Sequence, residues 1–365
     1  MNSRERVLAA MARHSTDRIP VFMWFQPSTR RRLAALLDIP PEYVDDAMGN
    51  DIRQAWVNNN YAMEGIVHDK NGEQHVDDWG IKWMKWGEFN QIVEYPLAGA
   101  DVDTVLAYEF PRDRIEDLLA NMAPVMEAKD EYFTGVDVSP CAFEMYWRLR
   151  GLEETMLEIA EQSDLAYTML GRCADFAVEL ARQACTRFDV DWLWTGDDVA
   201  GQQSMFTSPD SWRRLIKPHL QRVVDVGTAN LLPVAFHSCG AIRPVIEDLV
   251  EMGITVLNPI QCNCAGMEPA DLKRDFGADL VFVGGVDTQQ LLPYATAADV
   301  RRATTQLIEA MTADGGGYIL AASHTVPPET PEVNLFAMYE AAGMDRDQIF
   351  DRAADIRRKL RTVQS

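Results

Sequence analysis

Short continuous apolar runs recur along the chain. Between them lie stretches in which apolar residues return every three or four positions. The first run is Ile19-Pro20-Val21-Phe22-Met23-Trp24-Phe25. Others span 52–57 (the weakest), 132–139, 192–196, 232–236, 254–260, 280–286 and 318–322, making eight. Continuous runs of this length fit strands covered on both faces, as in parallel sheets. The intervening pattern is helical. Ser208-Pro209-Asp210-Ser211 predicts a Ser cap with Pro at the first helical position. Trp212, Leu215, Ile216, Leu220, Val223 and Val224 follow at helical spacing, and Pro218 within them predicts a kink. Near the N-terminus Asn2-Ser3-Arg4-Glu5 predicts a capping box, with Val7, Leu8 and Met11 on one face of the helix that follows.

Strands alternating with helices predict parallel α/β structure. Eight runs favour a closed (β/α) eight-stranded TIM-type barrel over an open sheet. Residues 62–108 interrupt the alternation. Trp79, Trp83 and Trp86 lie there among Gly72, Gly80 and Gly87, which predicts a hairpin or lid outside the barrel. There is no internal repeat or low-complexity linker. The expectation is one domain over 1–365 with an insertion at 62–108.

Composition narrows the function. The chain has 365 residues, with 34 Lys and Arg against 56 Asp and Glu, a net charge of −22. That balance argues against non-specific nucleic-acid binding, which needs clustered cations. An apolar fraction of 47% suffices for a large core and excludes a mainly disordered chain. No run reaches the about 18 apolar residues of a membrane span. The first residues lack the apolar centre of a secretion signal. Six cysteines are sparse for a disulfide scaffold, so a reducing cytoplasm is the expected location.

The sharpest chemical signal is Phe236-His237-Ser238-Cys239-Gly240, where an apolar run ends in a polar triplet. Residues just past strand ends face the catalytic mouth of a β/α barrel. His237 and Cys239, two apart on an extended segment, can point to the same side. Imidazole nitrogen and thiolate sulfur are both good zinc ligands. The competing reading is a small buried Cys beside a hydrogen-bonded His. A third ligand must come from another strand end. His324 closes the 318–322 run and faces the mouth on this logic. Cys262 and Cys264 follow Asn258-Pro259-Ile260-Gln261 and are either ligands or small packing residues. Glu144 could supply an oxygen, or could simply place charge near a helix N-terminus. Asp197-Asp198 and Asp287 also follow strand runs. Such carboxylates orient ligands, move protons, or cap helices and loops.

Together these segments resemble the uroporphyrinogen decarboxylase-like superfamily over nearly the whole chain. The resemblance rests on Ser3-Arg4-Glu5-Arg6-Val7 leading to Asp17-Arg18-Ile19-Pro20-Val21, on Gly196-Asp197-Asp198, and on Ser208-Pro209 through Lys217-Pro218. It continues through Phe236-His237-Ser238-Cys239-Gly240, Leu257-Asn258-Pro259-Ile260-Gln261 and Gly266-Met267-Glu268-Pro269. Gly284-Gly285-Val286-Asp287-Thr288-Gln289, Gly316-Gly317-Tyr318-Ile319-Leu320 and Ser323-His324 through Pro331 complete it. It implies the single eight-stranded barrel.

The superfamily holds two activities. Its decarboxylases act on an acidic tetrapyrrole without metal and carry an Arg-Gln-Ala-Gly-Arg-Tyr type motif for substrate carboxylates. Here the equivalent stretch is Phe25-Gln26-Pro27-Ser28-Thr29-Arg30, which departs from it. Its corrinoid-dependent methyltransferases move methyl groups between a small substrate or thiol and a cobalamin cofactor, often on a separate corrinoid protein. Several hold zinc on a His-x-Cys pair and a distant Cys. His237 and Cys239 match the pair, and His324 stands where the distant Cys is expected. The resemblance therefore implies zinc-assisted methyl transfer, with Asp198, Asp287 and Glu144 as candidate catalytic groups. The aromatic insertion would shield the methyl path from water. Tetrapyrrole decarboxylation and a non-catalytic corrinoid-binding barrel are the alternatives.

Overall fold

A computed structural model describes residues 1–59, 68 and 70–363. The strands in chain order are β1 (Ile52–Trp56), β2 (Gln74–Val76), β3 (Lys82–Trp86), β4 (Phe89–Glu94) and β5 (Phe133–Asp137). They continue with β6 (Trp192–Gly196), β7 (Val234–His237), β8 (Val256–Ile260), β9 (Val281–Val286) and β10 (Tyr318–Ala322). Seven form one sheet in the order β1-β5-β6-β7-β8-β9-β10. The pairs β5–β6, β6–β7 and β9–β10 are parallel. Every residue of β5, β6, β8, β9 and β10 is buried. Burial on both faces explains why these segments read as continuous apolar runs instead of alternating ones.

The chain groups into two compact units. The first comprises 1–53, 130–133 and 257–365. Here the first apolar run is not a full strand. Val21 bridges Leu320 and Phe25 bridges Val326, both in parallel. On Val21's other side the Asp51 N–H donates to the Val21 carbonyl at 2.8 Å. The N-terminal motif has a structural purpose. Asp51 is fully buried, and its carboxylate accepts from Arg6 Nη1 at 2.6 Å and from Arg18 Nη1 at 2.7 Å. Ser3 Oγ and the Val21 N–H, each at 2.8 Å, satisfy it further. The predicted capping box is present between Asn2 and Glu5. In β9, Gly284 has φ +119, and a Cβ there would stand 2.7 Å from the Ile260 backbone nitrogen, so only glycine fits.

The second unit comprises 54–129 and 134–256. Its longest helix, Asp164–Arg187, is capped by Ser163, whose side chain accepts from the Ala166 N–H. Ser208 caps Pro209–Leu215 as expected. The predicted kink is a break: a second helix, Lys217–Ala229, starts with Pro218 in its first turn. There the missing N–H is harmless. The three-stranded antiparallel sheet β2-β3-β4 lies within 62–108, where a hairpin or lid was expected. Residues 62–67 and 69 of that stretch lie outside the described residues. Trp79 and Trp83 are buried in the packing of this unit, and Trp79 meets Phe176 edge-on at 5.6 Å between ring centroids. Trp86 is 63% exposed. Trp83 and Trp86 stand an odd number of positions apart on β3, so they take opposite faces. Among the described residues no helix is long and apolar enough to cross a membrane.

Candidate metal centre

His237 is the last residue of β7, and Cys239 follows in the loop. Gly240 turns the chain there with φ +93, where a Cβ would meet the Ala200 carbonyl oxygen at 2.5 Å. The loop therefore closes tightly against the segment after β6. His237 Nε2 and Cys239 Sγ are 3.7 Å apart. Two ligands of one tetrahedral zinc, nitrogen at about 2.0–2.1 Å and sulfur at about 2.3 Å, stand about 3.6 Å apart. The pair is thus spaced for a shared metal without rearrangement.

His324 is half-buried, with its ring edge-on to Trp24 at 6.5 Å between centroids. Its neighbour Ser323 is fixed to the loop after β9, since the Ser323 N–H donates to the Val286 carbonyl at 2.7 Å and its hydroxyl lies 3.1 Å from Thr288 Oγ1. His324 belongs to the other compact unit and follows β10 by two residues, as Cys239 follows β7. Cys262 and Cys264 lie in the loop after β8, and Glu144 lies in the first turn of the helix Phe143–Arg150. Burial pushes the Cys262 thiol up to about 11, and Cys264 is 2% exposed, which suits packing residues.

The acidic candidates divide. Asp198 Oδ1 accepts the Cys239 N–H at 2.8 Å and stands 3.7 Å from His237 Nε2. Asp287 receives the N–H groups of Gln289, Gln290 and Leu291 at 2.8, 3.0 and 3.1 Å. Its carboxylate thus organises the loop after β9. Glu144 Oε1 pairs with Arg148 at 2.5 Å. Asp197, adjacent to Asp198, is fully buried and points elsewhere. It accepts the N–H groups of Ala142, Phe143 and Glu144 at 2.9–3.2 Å, capping the helix Phe143–Arg150, which has no side-chain cap of its own. Burial pushes its carboxyl up to about 7, and these backbone donors oppose the rise. Neither this cap nor Arg148 was anticipated from the sequence. The Asp197-Asp198 doublet was visible, but not which of the two faces the site.

The uroporphyrinogen decarboxylase (URO-D) profile matches residues 87–344, well over half of the chain. The chain belongs to the uroporphyrinogen decarboxylase family. No curated protein matches it in sequence. Among solved structures, a methyltransferase from Methanosarcina mazei is similar with a TM-score of 0.69 at 17% identity. The match covers 94% of this chain and 98% of that one. At that identity the likeness concerns the fold alone. A D-psicose 3-epimerase from Clostridium cellulolyticum H10 matches at 13% identity over 73% of this chain and 87% of that one, with a TM-score of 0.37. Xylanase B from Clostridium stercorarium F9 matches at 10% identity over 56% and 72%, also with a TM-score of 0.37. These two scores are too low to carry any argument about this family member.

Proposed function

We propose that this URO-D family member is a corrinoid-dependent methyltransferase. It moves a methyl group between a small substrate, such as an O-methyl compound, and a cobalamin cofactor presented by a corrinoid protein. The observation that carries the reading is the His237–Cys239 pair, whose Nε2 and Sγ stand 3.7 Å apart, with His324 proposed as the third ligand. Two imidazoles and one thiolate make a donor set suited to zinc. Zinc held there supplies Lewis acidity toward the substrate heteroatom that loses or gains the methyl group. The likeness to a methyltransferase fold at TM-score 0.69 agrees with this reading.

The chain's own residues take the remaining tasks. Asp198 holds the Cys239 backbone and places negative charge beside His237, which favours a cation between them. Asp287 keeps the loop after β9 in one shape, and that loop holds Ser323 next to His324. We further propose that the run at 19–25 completes an eight-stranded barrel spanning 1–365, with 62–108 as its insertion. Cytoplasmic location belongs to the same reading.

Tetrapyrrole decarboxylation fits less well. The stretch that would carry its arginines forms the helix Pro27–Leu37. Arg30 there pairs with Asp45 at 2.9 Å and Arg32 with Glu332 at 2.8 Å, so both are already neutralised. A polycarboxylate substrate would lack free guanidinium partners on this helix apart from Arg31.

Zinc analysis after loading and desalting, joined to an assay of methyl transfer from O-methyl compounds to reduced cobalamin, tests the reading. About one zinc per chain and corrinoid methylation are expected. Absence of retained zinc, or stepwise release of carbon dioxide from uroporphyrinogen, would overturn it.

A further inference from the structure

Arg148 lies at the centre of a buried polar chain that the metal cluster does not explain. Glu144 and Arg148 are four residues apart on the helix Phe143–Arg150, so their side chains meet on one face. Arg148 Nη2 donates to Glu144 Oε1 at 2.5 Å, with the two side chains 11% and 15% exposed. Arg148 Nη1 donates to Asn59, to its carbonyl at 2.7 Å and to Oδ1 at 3.0 Å. Asn59 Nδ2 then donates to Asp77 Oδ2 at 2.7 Å. Asp77 lies at the turn from β2 into β3. It also accepts from Trp83 Nε1 at 2.8 Å and from the N–H groups of Trp79 and Ile81 at 2.9 Å each.

The chain also continues toward the proposed metal ligands. The Glu144 N–H donates to Asp197 Oδ1 at 2.9 Å, and the Asp197 N–H donates to the His237 carbonyl at 3.0 Å. Buried polar connections therefore run from the strand end that bears His237 to the turn of the three-stranded sheet. One guanidinium serves two carboxylates, the half-buried Glu144 directly and the buried Asp77 through Asn59. Its planar fork of five donors can do this, while an ammonium group offers a single point of charge.

We infer that Arg148 is a positioning residue: it holds the Glu144 carboxylate in one place and ties that place to the three-stranded sheet through Asn59 and Asp77. The sheet and the mouth then move as one piece, so a substrate or partner touching the sheet is registered at Glu144. The consequence for catalysis rests on the methyl-transfer reading above. The mechanical coupling does not.

A double-mutant cycle on the full chain tests the catalytic half. Arg148→Met and Glu144→Gln are each expected to lower kcat/KM for methyl transfer, by up to about 100-fold, the loss that a misplaced positioning group can cause. Zinc content should stay at the wild-type value. The double variant should fall no further than about 3-fold below the worse single, because both remove one unit. Arg148→Lys should rescue little. Multiplicative losses in the double variant, or an unchanged kcat/KM in Arg148→Met, would overturn the proposal.

Amide hydrogen exchange tests the mechanical half without any activity. In Arg148→Met the amides of β2, β3 and β4 should exchange about 10-fold faster, while those of β6 stay protected. Should Arg148→Met fail to fold, Asn59→Ala breaks the same chain more gently and is read in the same way. Unchanged protection in those strands sinks the coupling. Faster exchange in a protein whose wild type transfers no methyl group leaves the coupling standing and removes the methyl-transfer reading alone.

Discussion

Asp198 Oδ1 receives the backbone N–H of Cys239 at 2.8 Å and stands 3.7 Å from Nε2 of His237. One carboxylate thus touches both residues at the β7 end that are proposed to share a metal. It fixes the tight loop through Cys239 and adds negative charge where a cation would sit. Support of this kind sets how firmly ligands are held before metal arrives.

The expected effect is separable from simple loss of charge. Asp198→Ala removes the acceptor and should weaken zinc affinity by about 10–100-fold. Asp198→Asn keeps an amide oxygen that can still accept the Cys239 N–H but loses the charge, and should fall between Asp198→Ala and wild type. Competition against a chromophoric chelator measures both. Wild-type affinity in Asp198→Ala would show that the loop holds its shape without this contact.

Much of this arrangement was legible in the sequence, for a physical reason in each case. The strand runs were visible because β5, β6, β8, β9 and β10 are buried on both faces. The pairing of His237 with Cys239 was visible because residues two apart past a strand end share a side. The first run misled in degree: Val21 and Phe25 make isolated bridges and not a continuous ladder. What stayed hidden depends on partners distant in sequence. Arg148 meets Asn59 across 89 residues, and Asp197 caps a helix 53–55 residues earlier. No local spacing encodes either contact. The division between Asp197 and Asp198 was hidden because neighbouring side chains on extended backbone diverge, and sequence does not say which takes which direction.

Stability should depend strongly on Asp51. It is fully buried and serves both Arg6 and Arg18. Asp51→Ala leaves two guanidinium groups with little solvent and without their shared counter-charge. Loss of one partner of a buried ion pair destabilises by about 3–5 kcal/mol. Urea unfolding should show the midpoint falling with an unchanged slope. A loss below about 1 kcal/mol would mean that water or Asp17 compensates.

Asp17 predicts a modest acid sensitivity. Its hydrogen bond and ion pair with Arg6, at 2.7 Å, hold its carboxyl well below the ordinary value of 3.8. A depressed carboxyl pKa stabilises the fold above the unfolded value and loses that contribution as pH falls further. The window therefore opens near pH 4 and extends downward. Because Asp17 is 45% exposed, solvent screening limits the contribution to less than about 1 kcal/mol. Asp17→Asn should flatten the stability profile between about pH 4 and pH 2 and leave its slope above pH 5 unchanged. An identical acid limb in the variant would remove Asp17 from the account.

His324 is the third ligand of the proposed zinc site. It follows β10 by two residues. An imidazole in place of a third thiolate makes the proposed site less negative by one charge. Zinc held there would be a stronger Lewis acid and would prefer harder donors. That favours polarising an ether or hydroxyl oxygen over a soft thiol. His324→Ala should lose most of the zinc, since each protein ligand supplies a large share of affinity, while far-ultraviolet dichroism stays native. His324→Cys should hold zinc at least as well, with slower turnover of O-methyl substrates and a gain toward thiols. The measurement is zinc stoichiometry with kcat/KM on both substrate classes for the three proteins. Full zinc retention in His324→Ala would take His324 out of the ligand set. An unchanged ratio between the two substrate classes in His324→Cys would show that ligand charge does not set the choice of substrate.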